Sequence, residues 1–330
     1  MHVLTGRYAM IEQLLAEGVE YVFGNPGTTE QAFMDALQDY PQLKYVLALQ
    51  ESIAIGMADG YSRVSGRPAF VQLHIMPGLG NAMGMLYNSY RTRTPMVIYA
   101  GQHPQRGASQ EPILAGDLVR LAEPLTKWAV EAQDANEVPL LVRRAFKVAM
   151  EPPRGPVFVA VPANVMDEEC SQAIVASTPV DTQVRPAPAA IARVAALLLE
   201  AQAPVIICGD GVATSGAQAE LVQLAEMVGA RVHASFSPEL PFPSAHPLYA
   251  GLLNVVSAAG LRGSWRRRTS SWLSARPCCR CSFRWTSRHF RRPRASFILI
   301  SRVGRSGRTG RWRWGCSRTR EPRSSICWSC

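Results

Sequence analysis

The stretch FGNPGTTE at residues 23–30, followed by LQE at residues 49–51, decides the predicted fold. The first stretch begins at the end of an apolar run and continues into a turn rich in Gly and Pro, and we predict a helix from Glu30 to Leu37. A second apolar run, from Tyr45 to Leu49, ends beside the carboxylate of Glu51. This order of strand, turn, helix and strand is typical of a parallel β-sheet.

The same alternation continues along the chain. Further apolar strands are predicted at Ala69–Leu73, Met96–Ala100 and Val157–Val161, and helical patterns separate them. Unbroken apolar strands are typical of a sheet whose two faces are both covered. We therefore predict an α/β fold, in which a parallel sheet carries helices on both faces.

Three candidate functional residues follow the carboxyl ends of these predicted strands. They are Gly27 in the Gly/Pro turn, Glu51 and His74. In open α/β sheets, ligands bind in the crevice beyond the carboxyl ends of the strands. We therefore expect one crevice to hold all three residues.

The sequence divides into four parts. Residues 1–170 carry the first α/β pattern, and residues 171–188 are polar and rich in Pro, as expected of a linker. Residues 189–261 begin a second, Rossmann-like α/β unit that loses its periodicity after Leu252, so we predict a truncated middle domain. Residues 262–330 are rich in Arg, Ser, Trp and Cys.

This last segment explains the basic character of the chain. The formal net charge is +10, yet residues 261–330 contain 19 Arg, no Lys and one acidic residue, Glu321. Residues 1–260 therefore contain 16 basic and 24 acidic residues, which is the balance of an ordinary mildly acidic protein. A basic segment with interleaved aromatic residues is compatible with a nucleic-acid-binding arm.

We favour a different origin for the basic segment, a shifted reading frame in a GC-rich gene. Out of step, codons for Ala, Gly, Leu and Val become codons for Arg, Ser, Trp and Cys. With GC-rich codons read two bases later, Trp265–Cys281 becomes an apolar strand followed by a Gly/Pro turn. We therefore predict that residues 262–330 are out of frame and disordered, and that nucleic acid is not a partner.

Cysteine content and hydropathy indicate the compartment. Outside the basic segment the only cysteines are Cys170 and Cys208, too few for a disulfide framework. The N-terminus has no basic region followed by an apolar core, and no apolar run approaches the roughly 18 residues that span a bilayer. We expect a cytoplasmic protein with no membrane partner.

Several short motifs follow one another along the first part of the chain. In order, they are GNPGTTE (24–30), LQE (49–51), ADGY (58–61), LH (73–74), GLGNAMG (78–84) and AGQ (100–102). Together they resemble one family, the thiamine diphosphate-dependent enzymes. The resemblance covers roughly residues 4–260, is closest to the benzoylformate decarboxylase group, and is next closest to the acetolactate synthases.

The resemblance implies a cofactor and a set of roles. It implies that Glu51 bonds a ring nitrogen of the thiamine diphosphate aminopyrimidine and so activates the cofactor. It implies that His74 transfers protons near the substrate and that Thr28 lies where the group has a serine in contact with the substrate carboxylate. Gly27 and Pro26 are then turn residues beside the cofactor, and Asn81 is a further candidate for binding it.

Each of these residues also has a purely structural interpretation. An acid in the first turn of a helix, as at Glu51, stabilises the helix dipole. Thr28 or Thr29 is suited to cap the next helix, and Asn81 to a turn or cap. A lone histidine such as His74 is more often structural than catalytic.

The resemblance also implies what holds the cofactor's phosphates. In the family, magnesium and diphosphate bind a Gly-Asp-Gly motif that an Asn-Asn pair follows. Gly209–Gly211 imitates the first half, but the chain contains no Asn-Asn pair, so we interpret those residues as a turn and predict no metal ligands.

The resemblance thus implies decarboxylation of a small 2-oxo acid of the benzoylformate type, by a homodimer or homotetramer. Because no diphosphate- and magnesium-binding domain is found, we expect this chain alone to be inactive. Two alternatives stay open: an acetolactate synthase-like carboligase fragment, and a non-catalytic partner of a full-length relative.

Overall fold

The computed structural model describes residues 4–178, 185–235 and 239–253, together with the backbone of three short strands between residues 297 and 329. The chain divides into two units, Met1–Gln183 and Val184–Cys330. The two units are described separately below.

The first unit alternates strands and helices. Its strands are β1 (Leu4–Thr5), β2 (Tyr21–Gly24), β3 (Lys44–Leu47), β4 (Ala69–Leu73), β5 (Met96–Gln102), β6 (Ala129–Glu131), β7 (Pro156–Pro162) and β8 (Glu169–Cys170). Its α-helices are α1 (Gly6–Ala16), α2 (Gln31–Leu37), α3 (Glu51–Ser65), α4 (Ile75–Thr92), α5 (Leu118–Ala122), α6 (Glu137–Met150) and α7 (Ala163–Asp167). Short 3₁₀ turns cover Thr28–Glu30, Ala108–Gln110 and Glu123–Leu125.

Six of these strands form one parallel sheet in the order β3-β2-β4-β5-β7-β6. A separate antiparallel pair joins β1 to β8. The order places β2, β4 and β5 side by side, so the chain segments that follow β2 and β4 lie together at one edge of the sheet. The fold positions the candidate site at this edge.

Two apolar cores, one on each face of the sheet, hold the first unit together. One core packs α1, α2 and α6 against the sheet, with Ile11, Phe33 and Phe146 among its buried side chains. The other packs α3, α4 and α5, with Ile55 and Leu79 at its centre. Burial of apolar surface on both faces explains why the strands carry unbroken apolar runs. The predicted fold class is confirmed.

The second unit contains α8 (Pro188–Leu199), β9 (Val205–Cys208), α9 (Asp210–Thr214), α10 (Gln218–Val228), β10 (Arg231–Ala234), β11 (Tyr249–Leu252), β12 (Phe297–Ile300), β13 (Arg313–Gly315) and β14 (Cys327–Ser329). Four strands form a parallel sheet in the order β11-β10-β9-β12, and β13 pairs with β14. Apart from the backbone of β12 to β14, the out-of-frame prediction for residues 262–330 lies outside the described residues and stays a prediction.

The turn predicted at Gly209–Gly211 is wrong, because Asp210 and Gly211 are the first residues of α9, which Gly209 caps in an extended conformation. The Gly/Pro stretch Pro77–Gly80 is also helical, since it lies inside α4, which begins at Ile75. Pro77 fits there because the first turn of a helix has no internal partner for the missing N–H.

None of the helices in the described residues has the length and apolar character that a membrane span requires.

Candidate active site

The segments that follow β2, β3 and β4 meet at the carboxyl edge of the sheet. A Cβ atom on Gly27 would overlap the imidazole ring of His74, so these two residues are in direct contact. A Cβ on Gly78 would lie 3.1 Å from Glu51 Oε1 and 3.2 Å from His74 Cβ. The structure therefore brings Gly27, Glu51 and His74 together around Gly78.

Glu51 is the first residue of α3, and its side chain is held by two carboxamides. Asn25 Nδ2 donates to Glu51 Oε1 at 3.2 Å, and Asn81 Nδ2 donates to Glu51 Oε2 at 3.0 Å. Only 6% of Glu51 is exposed. A carboxylate offers about four acceptor positions. Two are occupied here, so Glu51 can accept further hydrogen bonds.

Glu51 is not the cap of α3. The N-cap is Gln50, whose Oε1 accepts from the backbone N–H of Ser52 at 2.8 Å. The carboxylate of Glu51 is turned instead toward Asn25 and Asn81. Glu51 therefore does not cap α3, although it is the acid in the first turn of this helix, where a negative charge stabilises the helix dipole.

His74 follows β4 and precedes α4, and 21% of its side chain is exposed. Its Nδ1 lies 3.0 Å from Glu30 Oε2 and 3.3 Å from Thr29 Oγ1. Its Nε2 has no hydrogen-bond partner among residues 4–178. One ring nitrogen is therefore fixed by the protein, and the other is free to exchange a proton.

The two threonines of the turn point in different directions. Thr28 is exposed, and its hydroxyl has no partner in the described part of the first unit. Thr29 is 8% exposed and donates from Oγ1 to Glu30 Oε1 at 2.7 Å. Neither threonine caps α2, whose N-cap is Glu30 without a side-chain bond. The expected threonine cap is wrong, because the 3₁₀ turn Thr28–Glu30 precedes the helix.

The two remaining candidates lie in the turn and on α4. Pro26 is half-buried between Asn25 and Gly27. Asn81 is on the exposed surface of α4, with its amide turned to Glu51. Asn81 is thus a helical residue that contacts the central carboxylate, and the alternative that it serves only a turn or cap is wrong.

Sequence reasoning missed three polar side chains of this edge: Asn25, Thr29 and Glu30. All three lie in the stretch quoted at the outset, so their position was known and their direction was not. The sequence places Glu30 at the start of the predicted helix, where an acid stabilises the helix dipole in any protein, so its position alone indicates no further contact. The one sequence feature that indicates these three side chains is the run of adjacent polar residues in a Gly-rich turn.

A buried polar chain supports Asn25 from below. The Tyr45 hydroxyl donates to Gln72 Oε1, and Gln72 Nε2 lies 3.5 Å from the carbonyl oxygen of Asn25. The backbone N–H of Asn25 donates to the carbonyl of Gln72 at 3.3 Å. Burial, with the nearby charge of Glu30, raises the pKa of Tyr45, so its hydroxyl keeps its proton and acts as a donor.

Within the described residues, no group of three or more His, Cys, Asp or Glu side chains is arranged to hold a metal ion.

Family models match two parts of the chain. The N-terminal TPP binding domain of the thiamine pyrophosphate enzymes matches residues 4–120. The central domain of the same enzymes matches residues 191–264.

Curated relatives match the same parts. Benzoylformate decarboxylase from Pseudomonas aeruginosa is 37% identical over 257 residues, which cover 76% of this chain and 48% of that enzyme. The probable acetolactate synthase large subunit from Methanocaldococcus jannaschii is 32% identical over 261 residues, which cover 76% of this chain and 44% of that protein. The chain thus spans about half the length of the curated relatives it matches.

Solved structures agree with the fold. The thiamine diphosphate-dependent 4-hydroxybenzoylformate decarboxylase of Rhodococcus jostii RHA1 superposes with a TM-score of 0.71 at 35% identity, covering 76% of this chain and 48% of that one. Benzoylformate decarboxylase from Polynucleobacter necessarius gives a TM-score of 0.70 at 36% identity, covering 76% and 47%.

Proposed function

Because the chain belongs to the thiamine pyrophosphate enzyme family, we propose that its first unit is the pyrimidine-binding half of a thiamine diphosphate site. Glu51 carries this proposal. It is a nearly buried carboxylate with unused acceptor positions, at the carboxyl edge of a parallel sheet. The missing side chain of Gly78 lets α4 pack closely against the side chains of Glu51 and His74.

The proposed roles follow from the chemistry of the side chains. When bound, thiamine diphosphate supplies the carbon that attacks a 2-oxo acid and the electron sink for its decarboxylation. Glu51 holds or shares a proton at its carboxylate with a ring nitrogen of the pyrimidine. The two amides of Asn25 and Asn81 hold that carboxylate in place.

His74 and Thr28 are proposed to act on the substrate side. The free Nε2 of His74 is the only one of its ring nitrogens that can take up or release a proton without breaking a contact to Glu30. Thr28 presents an exposed hydroxyl that can donate to a substrate carboxylate. Gly27 and Pro26 shape the turn, and Gly27 lets the chain pass against the His74 ring.

We propose that the whole protein decarboxylates a small aryl 2-oxo acid similar to benzoylformate. The relatives named above support this substrate class, since two solved structures are decarboxylases of that type. The Mg²⁺ ion that bridges the cofactor phosphates is part of the proposal and rests on the family alone. A cytoplasmic location stays a prediction.

The second candidate is a carboligase of the acetolactate synthase type. It is favoured by the acetolactate synthase subunits among the relatives, of which the Methanocaldococcus protein is 32% identical. The decarboxylase is the stronger candidate because its representative is 37% identical over a similar length.

The proposed assembly is a homo-oligomer. Three apolar side chains that flank Glu51 in the chain are exposed in the single protomer: Leu47 by 61%, Leu49 by 89% and Ile53 by 50%. Exposed apolar groups next to a site commonly mark an interface. A full-length relative could bind the same surface. The alternative that this chain is a non-catalytic partner of such a relative therefore also stays a prediction.

A chimera tests the proposed function. The 257 residues of the Pseudomonas enzyme that align with this chain are replaced by the corresponding part of this chain. Release of CO₂ from benzoylformate and formation of acetolactate from pyruvate are then measured with thiamine diphosphate and Mg²⁺. We expect benzoylformate turnover, and a fall of about 100-fold in Glu51→Gln, because removal of an acid–base group costs at least that factor.

Glu137→Gln is the matched control. Glu137 is also the first residue of a helix, α6, and its carboxylate only accepts from the N–H of Gln133. It should leave turnover unchanged. A folded chimera that forms acetolactate but does not decarboxylate benzoylformate would favour the carboligase instead. Equal losses of turnover in Glu51→Gln and Glu137→Gln would show that Glu51 acts only as a charge at the start of a helix.

The expectation that the 330-residue chain alone is inactive has its own assay. Purified chain is incubated with cofactor, Mg²⁺ and benzoylformate, and CO₂ is measured. Thiamine-dependent turnover would contradict the expectation.

A further inference from the structure

Glu30 is the most completely bonded side chain of the carboxyl edge. It is 0% exposed. Oε2 accepts from the backbone N–H of Gly27 at 2.9 Å, and Oε1 accepts from the N–H of Gly101 at 2.9 Å and of Ile75 at 3.3 Å. Glu30 therefore joins the segments that follow β2 and β4 to the end of β5.

Two glycines make room for this carboxylate. A Cβ on Gly101 would lie 2.6 Å from Glu30 Oε1 and 2.7 Å from the carbonyl oxygen of Thr29. A Cβ on Gly27 would overlap the His74 ring. A side chain at either position would collide, at Gly101 with Glu30 and at Gly27 with His74. The two glycines therefore permit the contact between Glu30 and His74.

The backbone of Ile75 is strained in the same place. Ile75 has a φ of 29°, although it is β-branched and fully buried. Such a conformation is strained and persists only where the surroundings hold it. Here it occurs in the residue whose N–H donates to Glu30 and which directly follows His74.

The set of partners fixes the proton on His74. An ionised carboxylate has only acceptors, and Glu30 receives three backbone N–H groups and the Thr29 hydroxyl. The ring atom that faces it, Nδ1 at 3.0 Å, must then carry a hydrogen. In a neutral ring this leaves Nε2 unprotonated, with its lone pair directed away from Glu30.

We propose that Glu30 is a positioning residue for His74: it selects the tautomer with hydrogen on Nδ1 and so presents Nε2 as a proton acceptor at the site. This assignment rests on the proposed function of His74 as a proton carrier. The same logic operates wherever a carboxylate orients a catalytic imidazole through its second nitrogen.

Nitrogen NMR of the full 330-residue chain, labelled at histidine and kept at alkaline pH, tests the assignment. Resonances are assigned with His74→Asn. We expect Nδ1 of His74 to be protonated by a preference of about tenfold, since a hydrogen bond to a charged group has that strength. A ring that instead carries its hydrogen on Nε2 would overturn the assignment.

Glu30→Gln is expected to invert this preference. Oε1 faces three donors, whereas Oε2 faces only the Gly27 N–H besides Nδ1. The amide oxygen therefore takes the position of Oε1, and the NH₂ group faces Nδ1. Nδ1 then accepts, and the hydrogen moves to Nε2. A glutamate with a merely structural role would leave the two nitrogen resonances in place.

Two other histidines serve as internal controls. His103 Nε2 lies 2.7 Å from the carbonyl oxygen of Ile113, which only accepts, so its hydrogen is on Nε2. His246 Nδ1 accepts from the N–H of Leu248, so its hydrogen is also on Nε2. Neither should change in Glu30→Gln, and a change in His103 would show that the variant disturbs more than His74.

If Glu30→Gln fails to fold, Gly27→Ala tests whether the contact with Glu30 sets the tautomer of His74. The added methyl pushes the imidazole away from the carboxylate while Glu30 stays in place. We expect the preference for Nδ1–H to fall to about that of an unbonded imidazole, and an unchanged preference would overturn the proposal.

The NMR readout needs no cofactor or turnover. If the chimera is inactive while the tautomer is as expected, only the proposed function fails.

Discussion

Glu30 and Glu51 are two carboxylates at one edge of one sheet, and they differ in what holds them. Glu30 is fully buried and accepts from the backbone of three separate segments. Glu51 is 6% exposed and accepts from two side-chain amides, Asn25 and Asn81.

The difference separates a fixed carboxylate from an available one. Backbone N–H groups cannot turn away, so the oxygens of Glu30 are committed to the fold. The amides of Asn25 and Asn81 can rotate, so they hold Glu51 without using all its acceptor positions. One carboxylate therefore shapes the site, and the other is free to contact a ligand.

The largest effect that would test this comparison is on stability. Glu30→Ala removes the acceptor of several buried donors, each of which costs about 1–3 kcal/mol when left unpaired, so we expect a loss of about 4 kcal/mol. Glu51→Ala releases amides that can turn to water, so we expect a loss of about 1 kcal/mol. Amide hydrogen exchange in β4 and β5 measures both.

Equal losses in the two variants would break the comparison. It would also fail if Glu51→Ala were the more damaging, because Glu51 would then be part of the scaffold. Glu137→Ala is a suitable reference, since it removes a carboxylate at the start of another helix of the same unit.

The sequence predicted the fold and the place of the site for a simple reason. Unbroken apolar strands report burial on both faces, and the carboxyl ends of parallel strands must share an edge. Glu51 and His74 each follow such a strand, so their proximity could be deduced before their contacts were known.

The direction of neighbouring side chains could not be predicted. Thr28 and Thr29 are identical in type, yet one is exposed and the other contacts Glu30 and His74. The short 3₁₀ turn decides this, and a Gly/Pro-rich sequence does not distinguish it from a plain turn. No periodicity in the sequence predicts that Glu30 accepts a hydrogen bond from the backbone N–H of Gly101 in β5.

A pair of glycines gives the next smaller effect. Gly101→Ala places a methyl 2.6 Å from Glu30 Oε1 and 2.7 Å from a backbone oxygen, so we expect a loss of about 1–3 kcal/mol. Gly78→Ala meets Glu51 Oε1 at 3.1 Å, and this side chain can move, so we expect less than about 1 kcal/mol.

Ligand binding should show the opposite order. The methyl of Gly78→Ala meets the carboxylate of Glu51, which is proposed to bind the cofactor, and displaces it. Titration of the chimera with thiamine diphosphate should therefore show weaker binding than for Gly101→Ala, at equal folded fraction. Stronger binding by Gly78→Ala would place the pyrimidine elsewhere.

The smallest effect concerns the polar chain below Asn25. Tyr45→Phe leaves Gln72 Oε1 without its hydroxyl donor, so we expect a loss of about 1 kcal/mol at neutral pH, measured by hydrogen exchange in β2 and β4.

The pKa of Tyr45 is raised in the folded protein, by burial first and by Glu30 second. Above the ordinary tyrosine pKa, near 10, the unfolded chain therefore gives up this proton before the folded one does. The stability that Tyr45 contributes is complete below that pH and is lost as the pH rises beyond it. Stability should thus fall less steeply in Tyr45→Phe than in the unmodified protein above that pH. Parallel curves would show that neither burial nor the charge of Glu30 raises the pKa of Tyr45 in the folded protein.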